Sequence, residues 1–330
     1  MGTWSERIGL ERPIVQAGMG GGLATAPLAG AVSAAGGLGT VGIMPAPAFG
    51  PELRSARDLA GEAPLAANLL LPFVRPAHVA ACIAHRMRVV VLHGGLSGPI
   101  VTALRDAGIE VLQQVGTVDE ARRALRIGAD GVIVQGTEAG GHTYARRPVD
   151  AALADVRAAL PSPVPVLAAG GVNEAADVRR LLDAGADAVV VGTRFLATPE
   201  SRAHPGYKRA LIDGRDTVDT LLFGFGWPMR HRVLRNAAVD RWCAIDERGP
   251  RAVRILSRVS APIGGALPLS LMAVYPRVQR PWLPVLTPGP PLEGGGGDRI
   301  LRASALYAGQ GVGAIDRLVP AADLVATLAG

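Results

Sequence analysis

The chain has 330 residues, 49% of them hydrophobic, with aromatic side chains at only 4% and a formal net charge of +6. That apolar content can bury a large core, which excludes global disorder, and the shortage of aromatic rings disfavours a base-stacking nucleic-acid platform. Arginine carries nearly all the positive charge, because Lys208 is the single lysine; a Schiff-base aldolase is therefore not expected, and scattered solvated arginines explain the charge without an acidic partner.

The first residues, Met1-Gly-Thr-Trp-Ser-Glu-Arg7, lack a basic stretch followed by an apolar one, and no apolar run is long enough to span a bilayer. A cytoplasmic protein with no membrane and no nucleic-acid partner is expected. From there to about residue 200, short Val/Ile/Leu-rich runs alternate with Ala/Arg/Asp-rich runs of helical period. Strands are expected at Pro13 to Ala17, Gly39 to Ile43, Leu65 to Leu70, Arg88 to Leu92, Ile109 to Gln113, Gly131 to Val134, Val164 to Ala168 and Ala188 to Val191. Between them, Thr117 to Ile127 reads as a helix opened by a capping box with Glu120 and stopped by Gly128, and Asn173 to Ala184 as a helix stopped by Gly185. The tags Asp106-Ala-Gly, Ile127-Gly-Ala-Asp130 and Asp183-Ala-Gly-Ala-Asp187 fall at helix-to-strand turns.

About eight β-α units of this kind predict an α/β fold, a closed (β/α)8 TIM barrel over residues 1–214 with its site at the strand C-terminal ends. The alternative is an open doubly wound sheet, against which stands the spacing of Gly18-Met-Gly-Gly-Gly22, which is not G-x-G-x-x-G. Residues 215–297 lose the rhythm and turn rich in Arg, Pro and Gly, which suggests a lobe folded over the barrel mouth. Residues 298–330 return to a helical pattern that packs back on the barrel.

Chemistry concentrates in Gln135-Gly-Thr-Glu-Ala-Gly-Gly-His142, which follows the apolar run Gly131-Val-Ile-Val134. Glycines let a flat ring approach the backbone, and an imidazole titrating near neutrality can take a proton from a carbon acid. In isolation the same string also reads as a surface turn with a solvated histidine. Ala168-Ala-Gly-Gly-Val172 and Val191-Gly-Thr-Arg-Phe195 follow the seventh and eighth strands, where backbone N–H groups and a helix N-terminus near Asn173 would bind a phosphate. Gln16 and Asn68 end strands on the same face and, with Gln135, would fringe a planar ring. Cys82 and Cys243 have no Cys-x-x-Cys partner and the six histidines are scattered, so no metal site is expected.

Taken together these strings resemble the nitronate monooxygenase (2-nitropropane dioxygenase) family of FMN-dependent barrels, which includes the flavin-type enoyl-acyl-carrier-protein reductases. The matching residues are Pro13-Ile-Val-Gln-Ala-Gly-Met19, Leu28-Ala-Gly-Ala-Val-Ser-Ala-Ala-Gly-Gly-Leu-Gly39, the three strings above and Tyr307-Ala-Gly-Gln-Gly311. The resemblance implies FMN held by Met19, Asn68, Gln135, Gly140, Gly171, Val190, Val191, Gly192 and Thr193, with the phosphate at Gly171, Gly192 and Thr193. His142 would be the catalytic base. It further implies oxidation of an alkyl nitronate, or a nitroalkane, by O2 to a carbonyl product and nitrite. The alternative is an NAD(P)H-dependent reductase of enoyl thioesters, with an acyl-carrier protein as partner, or of quinones. Oligomers are possible in either case, and a silent flavin-binding module or a colourless sugar-phosphate barrel are further alternatives.

Where family members continue the histidine with Arg-Gly, this chain reads His142-Thr-Tyr-Ala-Arg-Arg147, placing a bulky Tyr144 there. Tyr144, Trp227, His231 and Trp282 are candidates to line a substrate pocket, with packing of the lobe as the simpler role for each. Arg230 and Arg232 could face an anionic substrate or solvent, and solvent is expected.

Overall fold

The computed structural model describes residues 3–266 and 269–330. Eight parallel strands make the main sheet: β1 (Ile14–Gln16), β2 (Gly39–Gly42), β3 (Leu65–Leu70), β4 (Val89–His93), β5 (Glu110–Val115), β6 (Gly131–Gln135), β8 (Val166–Ala169) and β9 (Ala188–Val191). The strand β7 (Gly141–His142) lies outside it. The order β1-β9-β8-β6-β5-β4-β3-β2 closes on itself where Val15 bridges Leu38, with the Gln16 N–H donating to Leu38 O over 2.9 Å. The sheet is thus a closed (β/α)8 barrel and not an open doubly wound one.

The strand sequences explain the closure. Each is a run of Val, Ile, Leu and Ala with scarcely a polar break, as strands buried on both faces must be. Alternate residues serve the two layers: Val89, Val91, Ile133, Ala188 and Val190 pack inside the barrel, whereas Val90, Leu92, Val132, Val134, Val189 and Val191 face the helices. The helix Trp4–Ile8 plugs the N-terminal end of the barrel with Trp4 and Ile8, and the Trp4 indole N–H donates to the Glu110 carboxylate. A buried aromatic of this size contributes about 3 kcal/mol or more.

The helix-to-strand tags act as hydrogen-bonded corners. The Asp130 carboxylate accepts the Val111 N–H at 2.9 Å and that of Asp187 accepts the Val166 N–H at 2.8 Å. Helix starts differ in detail from the sequence reading. Thr117 caps the helix Val118–Arg126 through the Glu120 N–H, but the Glu120 carboxylate accepts from Gly116 N at 2.8 Å, one residue beyond the N-cap. The later helix spans Ala175–Asp183 rather than starting at Asn173, because Glu174 and Asp177 form its capping box.

After the barrel, β10 (Thr217–Thr220) and β11 (His231–Leu234) add to β7 in a small antiparallel sheet that sets His231 directly opposite His142. The helix Arg251–Ala266 follows, and the closing helix Ala321–Ala329 buries Leu324, Val325 and Leu328 against the barrel helices. Among the described residues no helix is long and apolar enough to cross a membrane.

Candidate active site

A cavity opens at the C-terminal ends of the barrel strands and is shared by loops from β1, β3, β4, β6, β8 and β9 and by lobe residues Trp227, Leu269, Pro288 and Pro290. Gln135, last in β6, organises one wall. Its amide Nε2 donates to His142 O at 3.0 Å and its Oε1 accepts from Tyr144 N at 3.1 Å, so both ends of the side chain hold the His142 loop. Gln16 is spent likewise on backbone, accepting from Thr40 N at 3.0 Å and donating to Ala17 O. Each amide keeps one N–H and one oxygen lone pair beyond these bonds, and both residues line the cavity, as the sequence had suggested for the edge of a planar ligand.

The loop behind β6 is also clamped from the C-terminal segment. The Gln310 N–H donates to Glu138 O at 2.9 Å, and a Cβ on Gly140 would lie 2.6 Å from Ala308 C and Gly309 N. Gly140→Ala is expected to lower stability by about 1–3 kcal/mol by prising these segments apart; an unchanged melting temperature would show that the contact yields.

His142 stands at the centre of an aromatic cluster. Its ring stacks on Trp227 with centroids 3.9 Å apart, and His231 and Tyr307 lie at 5.3 Å. Its Nε2 is buried and has no hydrogen-bond partner among the described residues. Burial, then the neighbouring His231 and His93, push its pKa well below the ordinary imidazole value. The ring is therefore neutral at neutral pH and can accept a proton.

Its neighbour His231 cannot share that task, since its Nδ1 donates to Met229 O at 2.9 Å and its Nε2 accepts the Phe223 N–H at 3.2 Å. Those bonds define the neutral Nδ1–H tautomer, and burial holds the pKa down at about 4.

Glycine turns after β8 and β9 form the other end. Gly170 and Gly171 adopt φ of +124° and +69°, a backbone that side chains resist. The N–H groups of Gly171, Gly192 and Thr193 line the cavity with no acceptor among the described residues. The helix Ala175–Asp183 does not join them: Asp177 accepts from Asn173 N at 2.9 Å and Glu174 N at 3.2 Å, so this N-terminus is closed by its own carboxylates. Gly192 and Thr193 instead open the short helix Thr193–Leu196, so an anion here would meet the Gly170-Gly171 turn and the start of that helix, not the helix expected near Asn173. Thr193 Oγ1 accepts the Gly309 N–H at 3.0 Å and keeps its own proton to donate.

Met19, Asn68, Gln135, Gly140, His142, Gly171, Val190, Val191, Gly192 and Thr193 all line this one cavity. Asn68 donates to Val91 O at 3.3 Å while its Oδ1, like Thr40 Oγ1, is buried without a partner. Of the lobe candidates, Trp227 lines the cavity and His231 backs it, whereas Trp282 is 60% exposed and outside. Tyr144 packs on His93 with ring centroids 5.2 Å apart, and burial raises its phenol pKa to about 12.

Arg230 and Arg232 are not the solvated pair expected. Arg230 pairs with Asp219, and Arg232 is buried, donating to Thr137 O at 3.1 Å. Sequence reading also passed over His93 and Phe73, both in the lining, and gave Tyr307, which lines it too, only as part of a matching string. The position of His93 at the end of a strand and beside a glycine pair, Gly94-Gly95, was the available signal; His142 likewise adjoins a glycine pair, on its other side. The six histidines are less scattered than their spacing suggests, since His93, His142 and His231 converge, although no cluster among the described residues has metal-ligand geometry.

Comparison with known proteins agrees with this architecture. A family profile described as nitronate monooxygenase matches residues 4–93 and 74–330. The chain is 30% identical to (3aS,4S,5R,7aS)-5-hydroxy-7a-methyl-1-oxo-octahydro-1H-indene-4-carboxyl-CoA dehydrogenase of Rhodococcus jostii, over 97% of this chain and 92% of the relative. It is 35% identical to a nitronate monooxygenase of Pseudomonas aeruginosa, over 62% of this chain and 71% of that protein. Among solved structures, the nitroalkane oxidase of Streptomyces ansochromogenes superposes with a TM-score of 0.76 at 30% identity, covering 98% of this chain and 96% of that one. A match to the profile over nearly the whole chain, on a barrel with this site, makes the protein an oxidoreductase of the nitronate monooxygenase family.

Proposed function

We propose that this protein is an FMN-dependent oxidoreductase that oxidises alkyl nitronates, and the nitroalkanes from which they form, with O2 to a carbonyl product and nitrite. The observation that carries the reading is the neutral, buried His142, whose Nε2 is unpartnered in the cavity that also holds the unpaired N–H groups of Gly171, Gly192 and Thr193. Those N–H groups fit a phosphate, and the unpaired Asn68 Oδ1 and Thr40 Oγ1 fit the polar rim of a planar heterocycle. Met19, Asn68, Gln135, Gly140, Val190 and Val191 would hold the remainder of FMN. FMN supplies the redox chemistry when bound, taking electrons from substrate and passing them to O2.

The chain's own part is positioning and proton transfer. His142 Nε2 takes the proton from the carbon beside a nitro group, which leaves a nitronate next to an imidazolium and so pairs the two charges as they form. Trp227, packed flat on the ring, fixes its orientation and keeps water from it.

The octahydro-indene-carboxyl-CoA dehydrogenase named among the relatives supports a second reading, an NAD(P)H-dependent flavoenzyme acting on thioesters, with His142 moving a proton at carbon. Anaerobic addition of NADPH or NADH to the FMN-loaded protein separates the two. Nitrite release from an alkyl nitronate in air, with the flavin absorbance untouched by pyridine nucleotide, is the expected result. Bleaching by pyridine nucleotide within seconds, without nitrite from any nitronate, would replace the first reading by the second.

A further inference from the structure

The cavity wall carries almost no charge. Among its described residues there is no arginine or lysine, and its single carboxylate, Glu138, is engaged by the Val149 N–H at 3.0 Å. His93 and His142 are both held neutral by burial. The two arginines nearest in sequence to Trp227 are already committed: Arg230 to Asp219, Arg232 to Thr137 O and Thr217 Oγ1. Away from the glycine turns, Met44, Leu70, Phe73, Trp227 and Leu269 form an apolar part of the wall beside uncharged polar groups such as Gln114 and Tyr307, and Phe73 meets Trp227 edge-on at 5.3 Å between centroids.

We propose that this wall is a specificity device: the site takes substrates whose tail is apolar and uncharged, and refuses a substrate that carries a second anionic group such as a carboxylate. The inference rests on the nitronate reading and deepens it. The head of a nitronate has His142 at hand. A carboxylate on the far end of the same molecule would press against Phe73, Trp227 and Leu269, stripped of water and without a counter-ion, which is the costly way to bury a charge.

Two nitronates of equal length test this, propyl-1-nitronate and propionate 3-nitronate, compared by nitrite release from the FMN-loaded protein. The expected kcat/KM favours the uncharged tail by roughly 100-fold or more. Leu269→Arg, which sets a cation at the mouth, is expected to narrow that gap by about tenfold. Equal kcat/KM for the two nitronates in the unmodified protein overturns the inference. Should neither nitronate be turned over, titration calorimetry with hexanamide and hexanoate reads the same discrimination independently of chemistry. Selective binding of hexanamide would then retire the nitronate reading while upholding the selectivity of the wall; equal binding, or none of either, overturns the selectivity as well.

Discussion

Replacing His142 by alanine is expected to lower kcat/KM for neutral nitroalkanes by about 10²- to 10⁴-fold, the usual worth of a positioned general base, and to leave preformed nitronates within a few-fold. The asymmetry follows from the division of labour proposed above: a nitronate has already lost its proton, so a missing base costs it little. Nitrite release from nitroethane and from ethyl nitronate measures both arms. His142→Gln, which keeps a side chain under Trp227, guards against simple collapse of the stacked pair. Full activity of both variants on nitroethane would remove His142 from the chemistry. Equal loss on both substrates would make it a group that orients substrate instead. Because burial pushes the His142 pKa well below 6.5, the wild-type rate on nitroalkanes should stay level as pH falls through 6.5, where an exposed imidazole would already be losing its base form.

Acid should destabilise the fold well before its carboxylates titrate. Burial lowers His93 and His231 to about 4 and depresses His142 too, whereas each imidazole returns to about 6.5 when the chain unfolds. Above pH 6.5 neither state binds these protons and the fold has its full stability. As pH falls below 6.5 the unfolded chain binds protons that the native state excludes, so stability is lost between about 6.5 and 4, at about 1.4 kcal/mol per pH unit for each imidazole. Protonating His231 in place would also break its acceptor bond from the Phe223 N–H. Melting temperatures from pH 7.5 to 4.5 measure the slope, and His93→Gln should make it shallower. A melting temperature flat over that range would show that the cluster admits water and charges freely.

The main sheet was legible in the chain because strands buried on both faces are plain apolar runs. Leu65–Leu70 and Ala188–Val191 fall where the pattern puts them, and the other strands shift by a residue or two at their ends, where ladder bonds rather than side-chain chemistry set the limit. Glycines beside His142 and after the seventh and eighth strands were equally readable, since the absence of a Cβ is a local property. What lies across the fold from these residues was not. His142 meets Trp227 and His231 only because β7 pairs with β11, a contact between segments nearly ninety positions apart in the chain. No spacing rule reports such a pairing.

The same limit governs charge and hydrogen bonding. Arg232 looked like a surface cation and is buried, and Gln135 and Gln16 line the cavity but also hold backbone from neighbouring segments, which their spacing did not report. A side chain's type determines what it can offer, so the sequence by itself determined the barrel, the glycine turns and the histidine proposed as the base. Tertiary structure alone decided which polar groups were left unspent and that, among the described residues, no arginine or lysine lines the cavity, because both depend on burial and on partners brought together from distant strands.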